Sequence, residues 1–385
     1  MWEAEGVTCT YSGPEGESMI AFPILSEEHA GPVLNEIVAF YLRHGPKKLV
    51  GCWSLDPPQP LDLGARLLAR GFQPGWKPCW MALDLHAVRT DHPRPAGLSV
   101  YADSAAASVK GLPYSGPNGA ITAERFPDRM RRYAAALDGK VVGHSAVVLT
   151  EGPYGIAGIY DVGVAEEARN QGIGKAVTLA SCLYARERGY RYALLNATGR
   201  RMYEQIGFQW IGDGSTWWLN VPRLAANPPT ANLIALAEAI GRGDVDALDS
   251  MRARFSAEDM RAPMTNEMTL MELAVDSRQP ASADWLTAQG VPLTALVAWD
   301  FGWKDRAARI LTDDPDHVNH RFGEWKITLL HEAAYRNDVE LARLALSARP
   351  DLDAKDTEYR STPLGWAKHL DRPEIARLIE EQSGL

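Results

Sequence analysis

The residues whose types and spacing point most directly to chemistry run from Tyr160 to Ala176: Tyr-Asp-Val-Gly-Val-Ala-Glu-Glu-Ala-Arg-Asn-Gln-Gly-Ile-Gly-Lys-Ala. An apolar strand passes into a loop and then into a helix whose first turn holds Gly172 and Gly174. A helix start offers unpaired backbone N–H groups and the positive end of the helix dipole, and glycine lets a ligand's phosphates come close to the main chain. That combination suits a pyrophosphate. A dinucleotide fingerprint would need a small residue three positions after Gly174, where Val177 stands. A Walker A loop would need Ser or Thr after Lys175 and glycine at 169, and these places hold Ala176 and Arg169.

Arg169-Asn170-Gln171-Gly172-Ile173-Gly174 resembles motif A of the GCN5-related N-acetyltransferases, the GNAT family, in which Arg or Gln, two residues, Gly, any residue and Gly or Ala bind acetyl-coenzyme A. The segment Thr198 to Phe208, with Tyr203-Glu204-Gln205-Ile206-Gly207-Phe208, resembles the family's following helix and its Y-E-x-x-G-F ending, and a later strand closes on Trp217-Trp218-Leu219. The resemblance covers roughly Leu98 to Leu219. It implies acetyl-CoA as cosubstrate and no metal. The implied binding set is Val162, Gly163 and Val164 on the strand, whose backbone would pair with the pantetheine arm, and Arg169, Asn170, Gln171, Gly172, Ile173, Gly174 and Lys175 around the pyrophosphate. Direct attack of an amine on the acetyl carbonyl requires one proton to leave the ammonium and one to reach the thiolate. Tyr203 matches the family's general acid. For the base, Asp161 leads, because a carboxylate within an apolar strand is costly unless paired or functional, although a strand-end residue facing solvent would look the same. Glu166, His144 or a water chain are the alternatives.

The elements that must position these groups can be read from periodicity. Lys140 to Leu149 and Ile156 to Val164 read as central strands separated by the turn Glu151-Gly152-Pro153. Gly174 to Arg188 reads as a helix closed by Gly189, and Tyr192 to Asn196 as another strand. Upstream, Leu68-Ala69-Arg70-Gly71-Phe72 followed by Met81 to Leu85 looks like the family's ending without its glycine loop. We therefore expect a degenerate, non-catalytic GNAT-like region over 1–88, a linker from His86 to Gly97, and a catalytic GNAT domain over 97–222. The expected fold class is α+β/α multidomain, with a mixed central sheet flanked by helices.

Beyond the linker Ala225 to Thr230 the texture is helical and repetitive. Thr328-Leu329-Leu330-His331-Glu332-Ala333 recurs 34 residues later as Thr362-Pro363-Leu364-Gly365-Trp366-Ala367, which resembles the ankyrin repeat. An all-α ankyrin solenoid of about four or five units is expected over 227–385, with His331 in a structural place. Of the twelve tryptophans, Trp217, Trp218, Trp299, Trp303 and Trp325 are candidates for a pocket wall.

Composition bounds the rest. With 46% hydrophobic and 23% charged residues the chain of 385 is that of a folded protein of two or three domains. No apolar run approaches the roughly 20 residues that span a bilayer, and the N-terminus lacks a signal peptide's pattern, so a cytoplasmic protein without membrane association is expected. The four cysteines form no Cys-x-x-Cys pair, which suggests neither a disulfide framework nor a zinc site. A net charge of -9 argues against nucleic acid and favours a cationic partner. Residues 223–385 hold 19 basic and 27 acidic side chains against 21 and 22 before them, so nearly all the acidity belongs to the helical region. The acceptor is expected to be a small cationic amine, such as an aminoglycoside-type antibiotic acetylated for resistance or self-protection. The alternative is a protein lysine or N-terminus recruited by the ankyrin repeats. Oligomeric state is not legible.

Overall fold

The structure, a computed structural model, describes residues 1–103, 109–115, 117–152, 155–197, 199–323 and 325–383; Pro153 and Thr198, quoted above, lie outside them. The first half of the sheet comprises β1 (Trp2–Ala4), β2 (Val7–Tyr11), β3 (Ser18–Ala21), α1 (Glu27–His44), β4 (Val50–Leu55), α2 (Leu63–Ala69), β5 (Phe72–Pro74) and β6 (Cys79–Asp84). The second comprises β7 (Leu98–Ala102), α3 (Pro117–Arg125), β8 (Met130–Leu137), β9 (Lys140–Leu149), β10 (Ala157–Val164), α4 (Ile173–Glu187), β11 (Tyr192–Asn196), α5 (Arg200–Ile206) and β12 (Gln209–Leu219). The expected strands over 140–149, 156–164 and 192–196 and the helix over 174–188 fall on β9, β10, β11 and α4 with end shifts of no more than one residue.

Among the described residues the twelve strands join one mixed sheet, ordered β1-β2-β3-β4-β12-β6-β11-β10-β9-β8-β7, with β5 on β12. The two halves exchange their last strands. β6 lies between β11 and the first part of β12, while the second part of β12 lies between β4 and β5. Each half holds one parallel pair joined by a helix, β3-α1-β4 and β10-α4-β11. The pairings β4 to β12, β12 to β6 and β6 to β11 are all antiparallel, so β4 and β11 run in opposite senses while both crossovers step inward. Right-handed crossovers then put α1 and α4 on the same face of the sheet. The other face is where a segment around Pro113 covers the second half, since Pro113 meets His144 from that side.

The local reasons are plain. Ser26 caps α1 by accepting from His29 N–H, and Gly45 ends it in the left-handed conformation. Apolar residues of α4 such as Val177, Leu179 and Cys182 are buried against the sheet, and Ser145 of β9 donates to the Val177 carbonyl at 2.8 Å.

Beyond β12 lie α6 (Val221–Ala226), α7 (Ala231–Arg242), α8 (Val245–Met251), α9 (Ala257–Arg261), α10 (Leu270–Asp276), α11 (Pro280–Ala288), α12 (Ala295–Asp300), α13 (Lys304–Asp313), α14 (Leu329–Arg336), α15 (Val339–Ser347), α16 (Pro363–His369) and α17 (Pro373–Ser383). Ala225 and Ala226, expected in a linker, complete α6. Threonines stand at the N-caps of α7, α10, α12, α14 and α16: Thr230, Thr269, Thr294, Thr328 and Thr362. Buried His331 accepts or shares hydrogen bonds with Thr328 through Nδ1 and reaches the Ser361 carbonyl at 3.1 Å through Nε2, tying one helix pair to the turn before the next. This region shares a core with the first half of the sheet. A Cβ on Gly241 would lie 2.2 Å from that of Ala65, so α7 and α2 pack at a distance only glycine allows. Arg70 and Glu238 form an ion pair at 2.5 Å across this junction, with side chains 4% and 14% exposed. Asn266 donates to the carbonyls of Leu68 and Phe72.

Candidate active site

The parallel pair β10 and β11 is bonded only at Ala157 with Ala193 and Gly158 with Leu194. Beyond Gly158 the strands separate, and the ladder between β10 and β9 skips between Tyr160 and Gly163. Asp161 sits in that bulge in the left-handed conformation, φ 53°. A bulge re-aims side chains and frees backbone groups. Val162, Gly163 and Val164 therefore run along an edge that β11 does not occupy, which is what a strand-like ligand arm needs.

The same strand leads into a short 3-10 turn, Glu166–Ala168, and then the glycine loop. Asn170 and Gly172 both have positive φ, 63° and 85°. Gly172 is the N-cap of α4; no side chain caps the helix and no acidic residue occupies its first turn. The N–H groups of Ile173, Gly174 and Lys175 precede the first helical bond, Ala176 N–H to Gly172 O. A Cβ on Gly174 would lie 2.8 Å from Met202 Sδ, and one on Gly172 would lie 2.9 Å from the Pro93 carbonyl. Glycine at these two places thus lets Met202 of α5 and the Pro93 carbonyl pack closely against the helix start. Arg169, Asn170 and Gln171 are exposed along the loop, and Lys175 reaches across to Gln205 at 3.1 Å. Free backbone amides and the positive end of a helix dipole are what a pyrophosphate would need.

Tyr203 projects from α5 into the core beneath the sheet, 6% exposed, its ring edge-on to Phe208 at 5.9 Å. Burial, with smaller contributions from Tyr114 and Cys182, pushes its hydroxyl up to about 12. A phenol so placed keeps its proton at neutral pH and can only donate it. Asp161 and His144 come together on neighbouring strands. Burial raises the Asp161 carboxyl, His144 and Arg132 pull it back, and Glu17 from the first half of the sheet opposes its ionisation. His144 is 2% exposed, burial holds its imidazole below its ordinary value, and its Nε2 sits 2.6 Å from the Pro113 carbonyl. That contact assigns the ring proton to Nε2 and leaves Nδ1 as acceptor. Buried Arg132 lies near Asp103 at 3.9 Å. Glu166 is exposed at the outer side of the loop, away from this group.

Glycine at 163 was read only as a backbone contact, yet it does more. A Cβ there would lie 2.1 Å from the Pro113 carbonyl and 2.7 Å from His144 Nε2, so its absence lets the covering segment and the histidine meet. Nothing in the spacing announced this. Among the tryptophans, Trp217 is 6% exposed in the core beside Gly64, and does not line a pocket. Trp218 is on the opposite side of β12. Trp299 donates to Asp338 at 2.8 Å, Trp303 stacks on Phe301, and Trp325 remains 39% exposed. Among the described residues no cluster of three or more His, Cys, Asp or Glu side chains is placed to hold a metal ion, and no helix is long and apolar enough to cross a membrane.

The arrangement is a mixed sheet with a splayed parallel pair, an uncapped helix start at its mouth and a buried phenol beneath it. Residues 99–208 match the sequence profile of the acetyltransferase (GNAT) family, and this segment is a GNAT acetyltransferase domain; acetyl-CoA is that family's cosubstrate. A mycothiol acetyltransferase from Thermobispora bispora is 32% identical over 170 residues, 41% of this chain and 51% of that protein, so the chain spans about half the length of this curated relative. Among solved structures, a GCN5-related N-acetyltransferase from Kribbella flavida is similar over 56% of this chain and 90% of its own, at 16% identity and a TM-score of 0.44. A tandem GNAT protein from the clavulanic acid biosynthesis pathway is similar over 55% and 76%, at 16% identity and a TM-score of 0.40.

Proposed function

We propose that this protein is an acetyl-CoA-dependent N-acetyltransferase acting on a primary amine. The observation that carries the reading is the conjunction of the uncapped Gly172 helix start with the splay of β10 from β11. Acetyl-CoA, when bound, supplies the acyl group. The amides of Ile173, Gly174 and Lys175 would hold its phosphates, and the Val162 to Val164 edge would hold its arm. Asp161, raised by burial, with neutral His144 beside it, accepts the ammonium proton. Tyr203 holds a proton for the departing sulfur.

Both halves of the sheet repeat the order strand, helix, parallel strand, short helix, strand, which supports reading 1–88 as a non-catalytic GNAT-like copy, 97–222 as the catalytic unit and 227–385 as a third unit. The threonine-capped helix pairs and the bridging His331 support an ankyrin-type solenoid for that third unit. The acceptor is a small cationic amine, supported by the carboxylates of Asp161 and Glu17 at the site; an aminoglycoside-type antibiotic is its specific form, and the name of the Thermobispora relative adds the acceptor of a mycothiol acetyltransferase. A protein substrate is the second reading. It is favoured by the aromatic patch of Trp325, Tyr335 and Tyr359 around Trp366, the first three 39%, 57% and 64% exposed. Amine-dependent release of CoA thiol across polyamines, aminoglycosides and lysine peptides separates the two: turnover of the peptides alone overturns the small-molecule reading. Tyr203→Phe is expected to lower kcat about 100-fold, the lower end for losing a positioned acid, while KM for acetyl-CoA changes less than twofold. Unchanged kcat removes Tyr203 from its role.

A further inference from the structure

On the face of the sheet opposite α1 and α4, an aromatic cluster occupies the seam between the two halves. Phe22 meets Trp80 at 5.6 Å, Trp80 meets Trp53 at 5.9 Å, and Trp53 meets Trp76 at 5.3 Å with planes at 89°. The cluster is built. A Cβ on Gly214 would lie 2.8 Å from Trp80 Nε1, and one on Gly51 would lie 3.1 Å from Trp53 Nε1. Thr216 donates to the Trp76 carbonyl at 2.6 Å and fixes that loop. Phe22 adopts φ 41° at the end of β3 while 38% exposed, and Trp76 is 40% exposed. An apolar side chain held in a costly backbone conformation and turned to solvent is not there to fill a core. The buried indole N–H of Trp80 has no hydrogen-bond partner among the described residues.

This wall faces the reaction centre. Trp80 on β6 pairs in register with Asn196 at the end of β11. Since Gly158 of β10 pairs with Leu194, Tyr160 comes level with Asn196 from the other side. Tyr160 lies over Gly158, whose Cβ would meet its ring at 2.5 Å, and it adjoins Asp161. Two strand spacings, about 10 Å, separate the β6 and β10 backbones, and the splay widens the gap. Tyr160 is 55% exposed.

We propose that the amine acceptor lies in the slot between Tyr160 and the Trp80–Phe22 wall, and that this wall, extended by Trp53 and Trp76 from the first half of the sheet, selects an amine carried on a flat ring. The proposal rests on the acyl-transfer reading. Ring stacking on an indole contributes modestly but depends on shape, so it favours a cyclic body over an open chain of equal charge.

The test compares kcat/KM for phenethylamine and benzylamine with that for butylamine and ethanolamine, all of single positive charge. The wild type is expected to favour the ring amines, Trp76→Ala and Phe22→Ala each to lower that ratio about three- to tenfold, and Trp76→Phe to keep it. A wild-type ratio near one, or a ratio unmoved by both alanine variants, overturns the proposal. The acyl-transfer reading fails separately, if no amine in any panel releases thiol. In that event quenching of tryptophan fluorescence by the ring amines decides the slot without turnover: quenching lost in Trp76→Ala supports it, and no quenching overturns it.

Discussion

The two halves of the sheet carry the same crossover and opposite chemistry at its start. In the second half, α4 begins at a glycine in the left-handed conformation, with no side-chain cap and no acid in its first turn. In the first, α1 begins at Ser26, whose hydroxyl already accepts from His29 N–H, and Glu27 and Glu28 follow. Two carboxylates at the positive end of a helix stabilise the helix and repel an anion. The parallel strands differ likewise: β3 and β4 pair through four residues each, β10 and β11 through two. One half is zipped and capped, and the other is open at both places a thioester with phosphates would touch. The lesson is that one strand-helix-strand crossover, met twice in a sheet, is closed or left open by a few residues at a helix start and the length of one ladder.

The contrast can be broken from either side. The largest effect is expected from Gly172→Glu, which forces a side chain into φ 85° and puts a negative charge at the helix start; about 1–2 kcal/mol for each term predicts acetyl-CoA binding weakened about 100-fold by calorimetry. Binding within threefold of wild type would mean the helix start is not the phosphate site. Next comes the pH profile of kcat/KM. The base must be deprotonated, and burial raises Asp161, so the acid limb is expected at higher pH than for an ordinary carboxylate. Asp161→Asn should lower the plateau at least tenfold and shift the limb; an unchanged profile assigns the proton elsewhere. The smallest effect is expected from Ser26→Ala, a cap loss of about 1 kcal/mol in urea unfolding, with acetyl-CoA affinity unchanged. Weakened binding there would mean the first half holds CoA after all.

The helix that follows the glycines and the strands beside it were legible because each depends on local rules: a helix start without side chains and apolar runs of strand length. The threonine and histidine of the helical repeats were legible for the same reason, since Thr328 and His331 are three residues apart. The strand exchange was not. Cys79–Asp84 and Gln209–Leu219 read as ordinary closing strands, and which neighbour each takes is decided by packing between residues more than a hundred positions apart. Trp217 and Trp218, adjacent in sequence, show the limit most simply: alternation along a strand sends them to opposite faces, but only the sheet's layering says that one face is core and the other is open.

Local spacing was enough to place an uncapped helix start, a phenol downstream of it and a helical region after both, because those are matters of backbone geometry within a few residues. Long-range packing brought His144 beside Asp161, made room at Gly163 for the covering segment and set indoles of the first half beside the second half's splayed strands. Each of those depends on register between strands, which no local spacing encodes.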